Sequence, residues 1–377
     1  MAEQQIRVGI IGANPERGWG VTAHLPALMK LPQYAVTAVC TTRQESADET
    51  ARRFNVPHAL ADWRKLVARD DIDLVIVAVK VAQHKELVEA AASAGKHVFC
   101  EWPLGLDSSE AQSMLRAAEA SGVQHMVGLQ GRANPTLNFI RDLVRDGHVG
   151  EVISYTFTSS LANSGAKLPP GEAYRTDKRA GATALTIAGG HSLDSLKHML
   201  GGFSELSAIL TTQHKQTTIV GTNEVLDVTS PDQLLVQGRL EGGAVASLHI
   251  KTDMYAPTGV RLEINGTDGD LVIATRPPVA ANTVGLQRAD LVVASARRGA
   301  RDFKELEVPA HYNIVPAEVP AGPPFFTAQL LARMADAIRT GTPASPSFAD
   351  ALEHQRLLEL IEASAESGER KTVPRSG

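Results

Sequence analysis

Gly9-Ile10-Ile11-Gly12-Ala13-Asn14-Pro15-Glu16-Arg17-Gly18-Trp19-Gly20 joins a short apolar run to a helical stretch through a glycine-rich turn. Such a turn brings backbone N–H groups and a helix N-terminus against a pyrophosphate, so the chemistry it implies is dinucleotide binding. The strict G-x-G-x-x-G spacing is broken: Asn14 stands where the second glycine would be, and the loop runs long. Asn tolerates positive φ better than most residues, so the turn is expected to survive there. Gly12, Asn14, Arg17, Gly18 and Trp19 are the expected phosphate-loop residues. A loop that serves packing alone is the competing reading. The end of the second apolar run selects the dinucleotide. An acid there binds ribose hydroxyls and repels a 2′-phosphate. Here the chain reads Thr41-Thr42-Arg43-Gln44, with no acid before Glu45. Two hydroxyls and a guanidinium suit a phosphate, which favours NADP over NAD. With Arg43 merely solvated, the site takes either form.

The elements that must position this loop follow from two periodicities. Residues 6–11, 35–40, 73–78, 97–100 and 125–129 are apolar runs of the kind buried on both faces of a parallel sheet. Helical stretches at 46–54, 83–94 and 108–120 lie between them, the last with Ser108 or Ser109 as N-cap. Strand and helix in alternation predict a doubly wound α/β domain, of Rossmann type, over residues 1–132. A helix at 135–146 follows, and then the rhythm changes. Strands at 152–158, 233–240, 244–251, 260–264 and 270–273 are separated by Gly and Asp-Gly turns. They predict an α+β domain over 133–377 with a large open, mostly antiparallel sheet. Its helices fall at 193–200, 324–339 and 348–364, and the last two are free to pack back on the first domain. Residues 161–170 and 276–282 read as surface loops.

A chain of 377 residues exceeds what one core usually organises, which agrees with two domains. The net charge is −5 with mixed signs, and no basic stripe is available to neutralise phosphates, so nucleic acid is not an expected partner. No apolar run approaches the ~20 residues that span a bilayer, so no membrane association is expected. Cys40 and Cys100 both sit in strand-like runs, and buried reduced thiols are expected. With a start that leads straight into a strand, they point to a cytoplasmic location.

Gly95-Lys96-His97-Val98-Phe99-Cys100-Glu101-Trp102-Pro103-Leu104 resembles the G-K-H-V-x-x-E-K-P segment of the Gfo/Idh/MocA oxidoreductases. Val127-Gly128-Leu129-Gln130-Gly131-Arg132 is similar to that family's next strand end, and Gly266-Thr267-Asp268-Gly269 to a turn of its C-terminal sheet. Gly18-Trp19, His24, Leu129 to Arg132, Gly190-His191-Ser192-Leu193-Asp194 and Pro231-Asp232-Gln233-Leu234-Leu235 resemble the branch that includes the yeast galactose-pathway repressors. The resemblance implies a Rossmann domain followed by an open sheet whose outer face makes a homodimer or homotetramer. It also implies a small-molecule substrate held between the sheet's inner face and the nicotinamide.

Two departures stand out. Active members carry a lysine where this chain has Trp102, and an Asp four residues before a catalytic His where it has Ile187. Trp102 either stacks on the cofactor or substrate or packs beneath them. His191 remains, at a junction where functional groups gather. An imidazole with its ordinary pKa near ~6.5 suits the uptake of an alcohol proton. His191 is either that base or a helix-capping or ligand-binding group. Lys80, at the carboxyl edge beside Val79, and Tyr174 are candidates for the lost polar chemistry. Lys80 equally suits cofactor phosphates. His84 either touches the nicotinamide ribose or only starts a helix. Glu101 and Gln130 complete the expected cofactor contacts. Trp102, Arg132, Tyr174 and His191 are the expected substrate contacts. His191, Asp194 and His198 share a helical face, but nothing accompanies them, and no metal is expected.

The first functional expectation is an NAD(P)-dependent oxidoreductase acting on a carbinol or carbonyl of a sugar, polyol or related molecule. The alternatives are a dinucleotide-reading regulator without turnover, or a silent subunit. The long insertions of the yeast repressors are not evident here, which favours the enzyme.

Overall fold

The computed structural model describes residues 4–161, 167–169, 171–222, 224–252, 254, 256–279 and 285–374. The chain divides into two compact units. Residues 1–130 with 313–355 form the first, and residues 131–312 with 356–377 the second. The sequence boundary at 132/133 differs by two residues from the first crossing, and segment 313–355 counts with the first unit.

The first unit is built on six parallel strands: β1 (Ile6–Ile11), β2 (Tyr34–Cys40), β3 (His58–Leu60), β4 (Leu74–Val77), β5 (His97–Cys100) and β6 (His125–Val127). Their spatial order is β3-β2-β1-β4-β5-β6. The winding reverses between β1 and β4, and in such sheets ligands bind beyond the carboxyl ends at that point. Val8, Ile10 and all four residues of β4 are fully buried, which explains the unbroken apolar runs. Each such side chain stabilises the sheet by roughly 1.5–3 kcal/mol. Short α1 (Leu25–Leu28) follows the glycine loop, and α2 (Gln44–Phe54), α3 (Trp63–Val67), α4 (His84–Ser93) and α5 (Ser108–Ala120) pack around the sheet. The N-cap of α5 is Asp107, not Ser108 or Ser109. Asp107 Oδ1 accepts from the Glu110 amide at 2.9 Å, while Glu110 Oε2 accepts from the Leu106 amide. This reciprocal box satisfies two end donors and so displaces the serines.

The second unit opens with α6 (Pro135–Arg145), capped by Asn134 Oδ1 on the Thr136 amide. Then come β7 (Val152–Ser160), β8 (Lys167–Leu168), α7 (Gly190–Leu200), β9 (Phe203–Thr211), β10 (Gln216–Ile219) and β11 (Val225–Asp227). The run continues with β12 (Gln233–Leu240), β13 (Val245–Lys251), β14 (Gly259–Gly266), β15 (Gly269–Thr275), β16 (Leu291–Arg297) and β17 (Lys304–Leu306). α8 (Pro323–Thr340), α9 (Phe348–Ser367) and β18 (Lys371–Thr372) close the chain. α8 belongs to the first unit, where Tyr34 Oη donates to the Leu331 carbonyl at 2.7 Å.

The large sheet has nine strands in the order β17-β16-β15-β14-β7-β13-β12-β9-β18. Every pair is antiparallel except β7 with β13. Alternation sorts its faces: Leu234, Val236, Leu248, Ile250, Phe157 and Leu262 are buried, while Leu235, Val245 and Ile209 on the other face are exposed. A small sheet, β11-β10-β8, stands apart. β8 interrupts the loop expected at 161–170. Residues 162–166 and 170 of that loop, and 280–282 of the loop expected at 276–282, lie outside the described residues. Among the described residues no helix is long and apolar enough to cross a membrane. Cys40 and Cys100 are buried and free, and burial pushes the Cys40 thiol up to about 12.

Candidate cofactor and substrate sites

The glycine loop leaves β1 at the carboxyl edge of the first sheet. Gly12 has φ +102°, and a Cβ there would lie 2.2 Å from the Ala78 carbonyl oxygen. Gly18 has φ +96° and accepts the Thr22 amide at the start of a wide helical turn, Gly20–His24. Asn14 does not take positive φ; among the described residues only Asn55 does so without being glycine. The Asn14 carboxamide instead accepts the Glu16 amide at 3.0 Å, so the two glycines carry the backbone reversals and Asn14 holds the turn between them. From α2, Thr50 Oγ1 donates to the Ala13 carbonyl at 2.8 Å and Arg53 to Pro15, which pins the loop. Arg17 is exposed and Trp19 half-buried.

Beside the loop lies a cavity of about 180 Å³, lined by Gly12, Asn14, Thr41, Thr42, Trp63 and Val79 among others. It sits at the carboxyl ends of β1 and β2 and takes in the start of the turn after β4, where a nucleoside is held in such sheets. The loop glycines, which a Cβ would fill, and this cavity fit a dinucleotide. Thr41 is buried, and its hydroxyl reaches the Arg43 carbonyl and Ser46 Oγ, so it shapes the turn. Thr42 and Arg43 are exposed, and Arg43 forms no ion pair among the described residues. Trp63, at the first position of α3, was not singled out in the sequence. Its ring carries the Arg64 guanidinium at 4.2 Å. The only sequence signal was an aromatic directly after the cap Asp62.

Lys80 is exposed at the same edge, one residue before a short helical turn. His84 differs from its expected role at the ribose. It is 1% exposed, with Nδ1 2.9 Å from the Pro103 carbonyl and Nε2 3.1 Å from that of Val79. Its ring braces the turn after β4 against the turn after β5, and burial pushes its pKa down. Trp102 is 5% exposed and its ring packs 5.0 Å from His354, so most of its surface is committed to the core. Glu101 is held from two sides. His24 Nε2 lies 2.6 Å from Oε1, and Gln130 Nε2 lies 3.4 Å from Oε2.

In the second unit, Arg132 also departs from its expected place at the substrate. Its guanidinium is forked onto Asp194, with Nη2 to Oδ1 at 2.8 Å and Nε to Oδ1 at 3.0 Å. Asp194 is 1% exposed, so this is a buried clamp on α7. Such a clamp stays in place because each charge left alone would be costly. A Cβ on Gly131 would meet Ser195 Oγ at 2.1 Å, which shows how closely this segment meets α7. His191 lies in the first turn of α7, 8% exposed, and its carbonyl accepts the Ser195 hydroxyl. Tyr174 is half-buried in the short turn Ala173–Thr176. His198 lies 3.2 Å from Asn138 Oδ1. Among the described residues no group of three or more His, Cys, Asp or Glu could hold a metal.

A cavity of about 230 Å³ lies beside these elements. Arg175 and Thr176 line it from the turn of Tyr174, and Ile187 and Ser192 from the segments around His191. Asp232, His214, Lys167 and Arg288 complete its charged wall. None of these five charged or titratable groups was singled out in the sequence as a site residue, because they come from separate loops and strand ends.

The description "Oxidoreductase family, NAD-binding Rossmann fold" matches residues 6–129, and "Gal80p, C-terminal domain" matches residues 135–275. The chain is 30% identical to dehydrogenase aclE of Aspergillus oryzae, over 71% of this chain and 76% of that one. It belongs to the Gfo/Idh/MocA oxidoreductase family. It is also 29% identical to the galactose/lactose metabolism regulatory protein of Saccharomyces cerevisiae, over 71% of this chain and 66% of that protein. A solved levoglucosan dehydrogenase in complex with NADH and levoglucosan is 26% identical, with TM-score 0.83, over 99% of this chain and 100% of that one. Membership accounts for the first unit as the binding domain for a nicotinamide dinucleotide.

Proposed function

We propose that the protein is an NAD(P)-dependent dehydrogenase or reductase that acts on a carbinol or carbonyl group of a sugar, polyol or related small molecule. The observation that carries this reading is the loop at Gly12 and Gly18, shaped for a pyrophosphate at the winding reversal of the first sheet. When bound, the nicotinamide supplies the hydride acceptor or donor. Gly12, Asn14, Gly18 and Trp19 hold the phosphates, while Thr42 and Trp63 hold the adenosine side. Glu101, aimed by His24, and Gln130 orient the nicotinamide half. His191 takes the carbinol proton as the hydride leaves, and Lys80 or Tyr174 steadies the oxygen. Trp102 cannot carry a proton, so acid–base work passes from its position to these groups. Positioning alone is worth ~7–11 kcal/mol when reactants are well held, so turnover does not require the missing lysine.

NADP over NAD is the form favoured by exposed Thr42 and Arg43, since a guanidinium without a carboxylate partner suits a 2′-phosphate. Ile209, Leu235 and Val245 on the open sheet face support a homodimer or homotetramer, which light scattering would test. A regulator without turnover is the second reading, favoured by Trp102 and Ile187 at the two departures. The deciding experiment incubates the protein and His191→Ala with NADP or NAD and a panel of sugars and polyols. Reduction in the wild type that vanishes in the variant supports the enzyme and its base. Tight cofactor binding without reduction of either form favours the regulator.

A further inference from the structure

The nucleoside cavity of the first unit has apolar walls and a polar edge. Ala61 and Trp63 line it from the chain after β3, and Val79 and Leu87 from the chain after β4. On that second side stand two polar side chains, Gln83, the residue before α4, and Glu86 in the first turn of α4. Apolar plates with a few polar groups at one edge suit a flat heteroaromatic base. Glu86 is held in place by α3. Its Oε1 accepts from Arg64 Nη2 at 3.0 Å, and the Arg64 guanidinium rests on the Trp63 ring at 4.2 Å. Arg64 is not part of the cavity's lining among the described residues. The second oxygen of Glu86 and the carboxamide of Gln83 form no hydrogen bond among the described residues.

Adenine presents an N6 amino donor beside its N7 acceptor, whereas a 6-oxopurine presents two acceptors at the same edge. An ionised carboxylate only accepts, so it matches the amino group and opposes the 6-oxo oxygen. A glutamine carboxamide pairs with N6 and N7 together. A carboxylate already tied down on one oxygen loses little freedom when the other takes a ligand. We propose that Glu86 selects the base of the dinucleotide: its second oxygen accepts from the N6 amino group of adenine, Gln83 pairs with N6 and N7, and a 6-oxopurine is rejected. The proposal rests on the reading of this cavity as the adenosine site. It leaves the choice at the 2′-position to other groups. Thr42 follows β2 and Glu86 follows β4, with β1 between those strands, and Arg64 offsets the charge of Glu86.

The test is calorimetric titration of the full chain with NADP and NAD and with their hypoxanthine analogues, which replace the amino group at C6 by an oxo group and change nothing else. The adenine forms are expected to bind at least about fivefold more tightly, the low end of what a correct base-edge contact discriminates, since Glu86 is exposed. In Glu86→Gln the carboxamide can turn its N–H groups to a 6-oxo oxygen, so the two forms are expected to bind within about twofold of each other. Gln83→Ala is expected to narrow the ratio as well. Gln83 and Glu86 are both exposed, and an exposed ion pair with Arg64 adds little stability, so both variants are expected to fold. The ratio of the two affinities separates base selection from a general weakening of the site, which would lower both alike. Equal binding of adenine and hypoxanthine forms by the wild type, or a wild-type ratio kept in Glu86→Gln, would overturn the proposal and leave the dinucleotide reading standing. Absence of binding by all four compounds at millimolar concentration would overturn the dinucleotide reading and this proposal with it. The assay needs no substrate, so failure to find turnover touches only the dehydrogenase reading.

Discussion

His24 Nε2 lies 2.6 Å from Glu101 Oε1, and the His24 ring meets Phe99 edge-on at 5.1 Å between centroids. This contact ties the helical turn after the glycine loop to the end of β5. His24 is fully buried, and its Nδ1 has no hydrogen-bond partner among the described residues. A bare lone pair is cheaper to bury there than an N–H, so Nε2 carries the proton and donates to the carboxylate. His24→Ala therefore leaves Glu101 with a weaker hold and opens a void beside Phe99. Loss of a hydrogen bond to a charged group predicts about 1.5–3 kcal/mol less stability. The same change is expected to weaken dinucleotide binding, because Glu101 loses its aim. Denaturant unfolding and cofactor titration of the variant check both.

The glycine loop predicts two unequal effects. At Gly12 an added Cβ meets the Ala78 carbonyl oxygen at 2.2 Å, a backbone atom that cannot swing away. Gly12→Ala is expected to abolish cofactor binding. At Gly18 the nearest atom to an added Cβ is the Gly12 carbonyl oxygen at 3.8 Å, so only the positive φ is strained. Gly18→Ala should cost about 1–2 kcal/mol, roughly a five- to thirtyfold loss in dinucleotide affinity at most. Equal losses in the two variants would contradict this account.

The two sheets were legible because their residues repeat: the runs of β1 and β4 are buried on both faces, and β12 and β13 alternate. β3 and α3 were not, since three and five residues are too short for a period to register. β9 was missed because Phe203, Leu206 and Ala208 face inward with a shift in alternation that reads as irregular. In the site, Gly12 and Gly18 were readable because their backbone demand is local. The fates of Arg132 and His84 were not, because Asp194 and the Pro103 carbonyl reach them only through the fold. The charged wall around Arg288 was hidden for the same reason, its members lying from residue 167 to residue 288.

The Arg132–Asp194 clamp predicts a large single-site effect. Asp194→Ala leaves a guanidinium that is 12% exposed without its carboxylate. Breaking one side of a buried pair costs about 3–5 kcal/mol. Replacing both members, Arg132→Met with Asp194→Leu, removes the stranded charge and should recover part of that loss. A double variant no more stable than Asp194→Ala, judged by denaturant midpoints, would show that the pair does more than compensate its own burial.

Arg43 follows the end of β2 beside Thr42. A guanidinium on a 2′-phosphate contributes about 1.5–3 kcal/mol as a charge-assisted contact. Arg43→Ala is thus expected to raise the Kd for NADP by about tenfold or more and leave that for NAD nearly unchanged. The difference should shrink as salt is added, since Arg43 is exposed. Equal effects on the two dinucleotides would remove Arg43 from the selection.

Two histidines of the first unit make its stability depend on pH. His97 Nδ1 accepts the Gln124 amide at 3.0 Å, and His125 Nδ1 accepts the Phe348 amide at 3.1 Å. Protonation of either nitrogen destroys an acceptor that a backbone N–H already uses. Burial is the leading cause that pushes both below their ordinary 6.5. The unfolded chain therefore binds more protons than the folded one just below that value. Stability is full above 6.5 and is lost as pH falls from there toward the lower folded pKa values. Each group contributes at most about 1.4 kcal/mol per pH unit, and less for His97, which is only partly buried. The denaturant midpoint of the wild type should fall between about pH 7.5 and about pH 5.5. His125→Gln, whose side-chain carbonyl can still accept an amide but does not titrate, should show a shallower fall than the wild type. A slope unchanged by that substitution would place the acid sensitivity elsewhere.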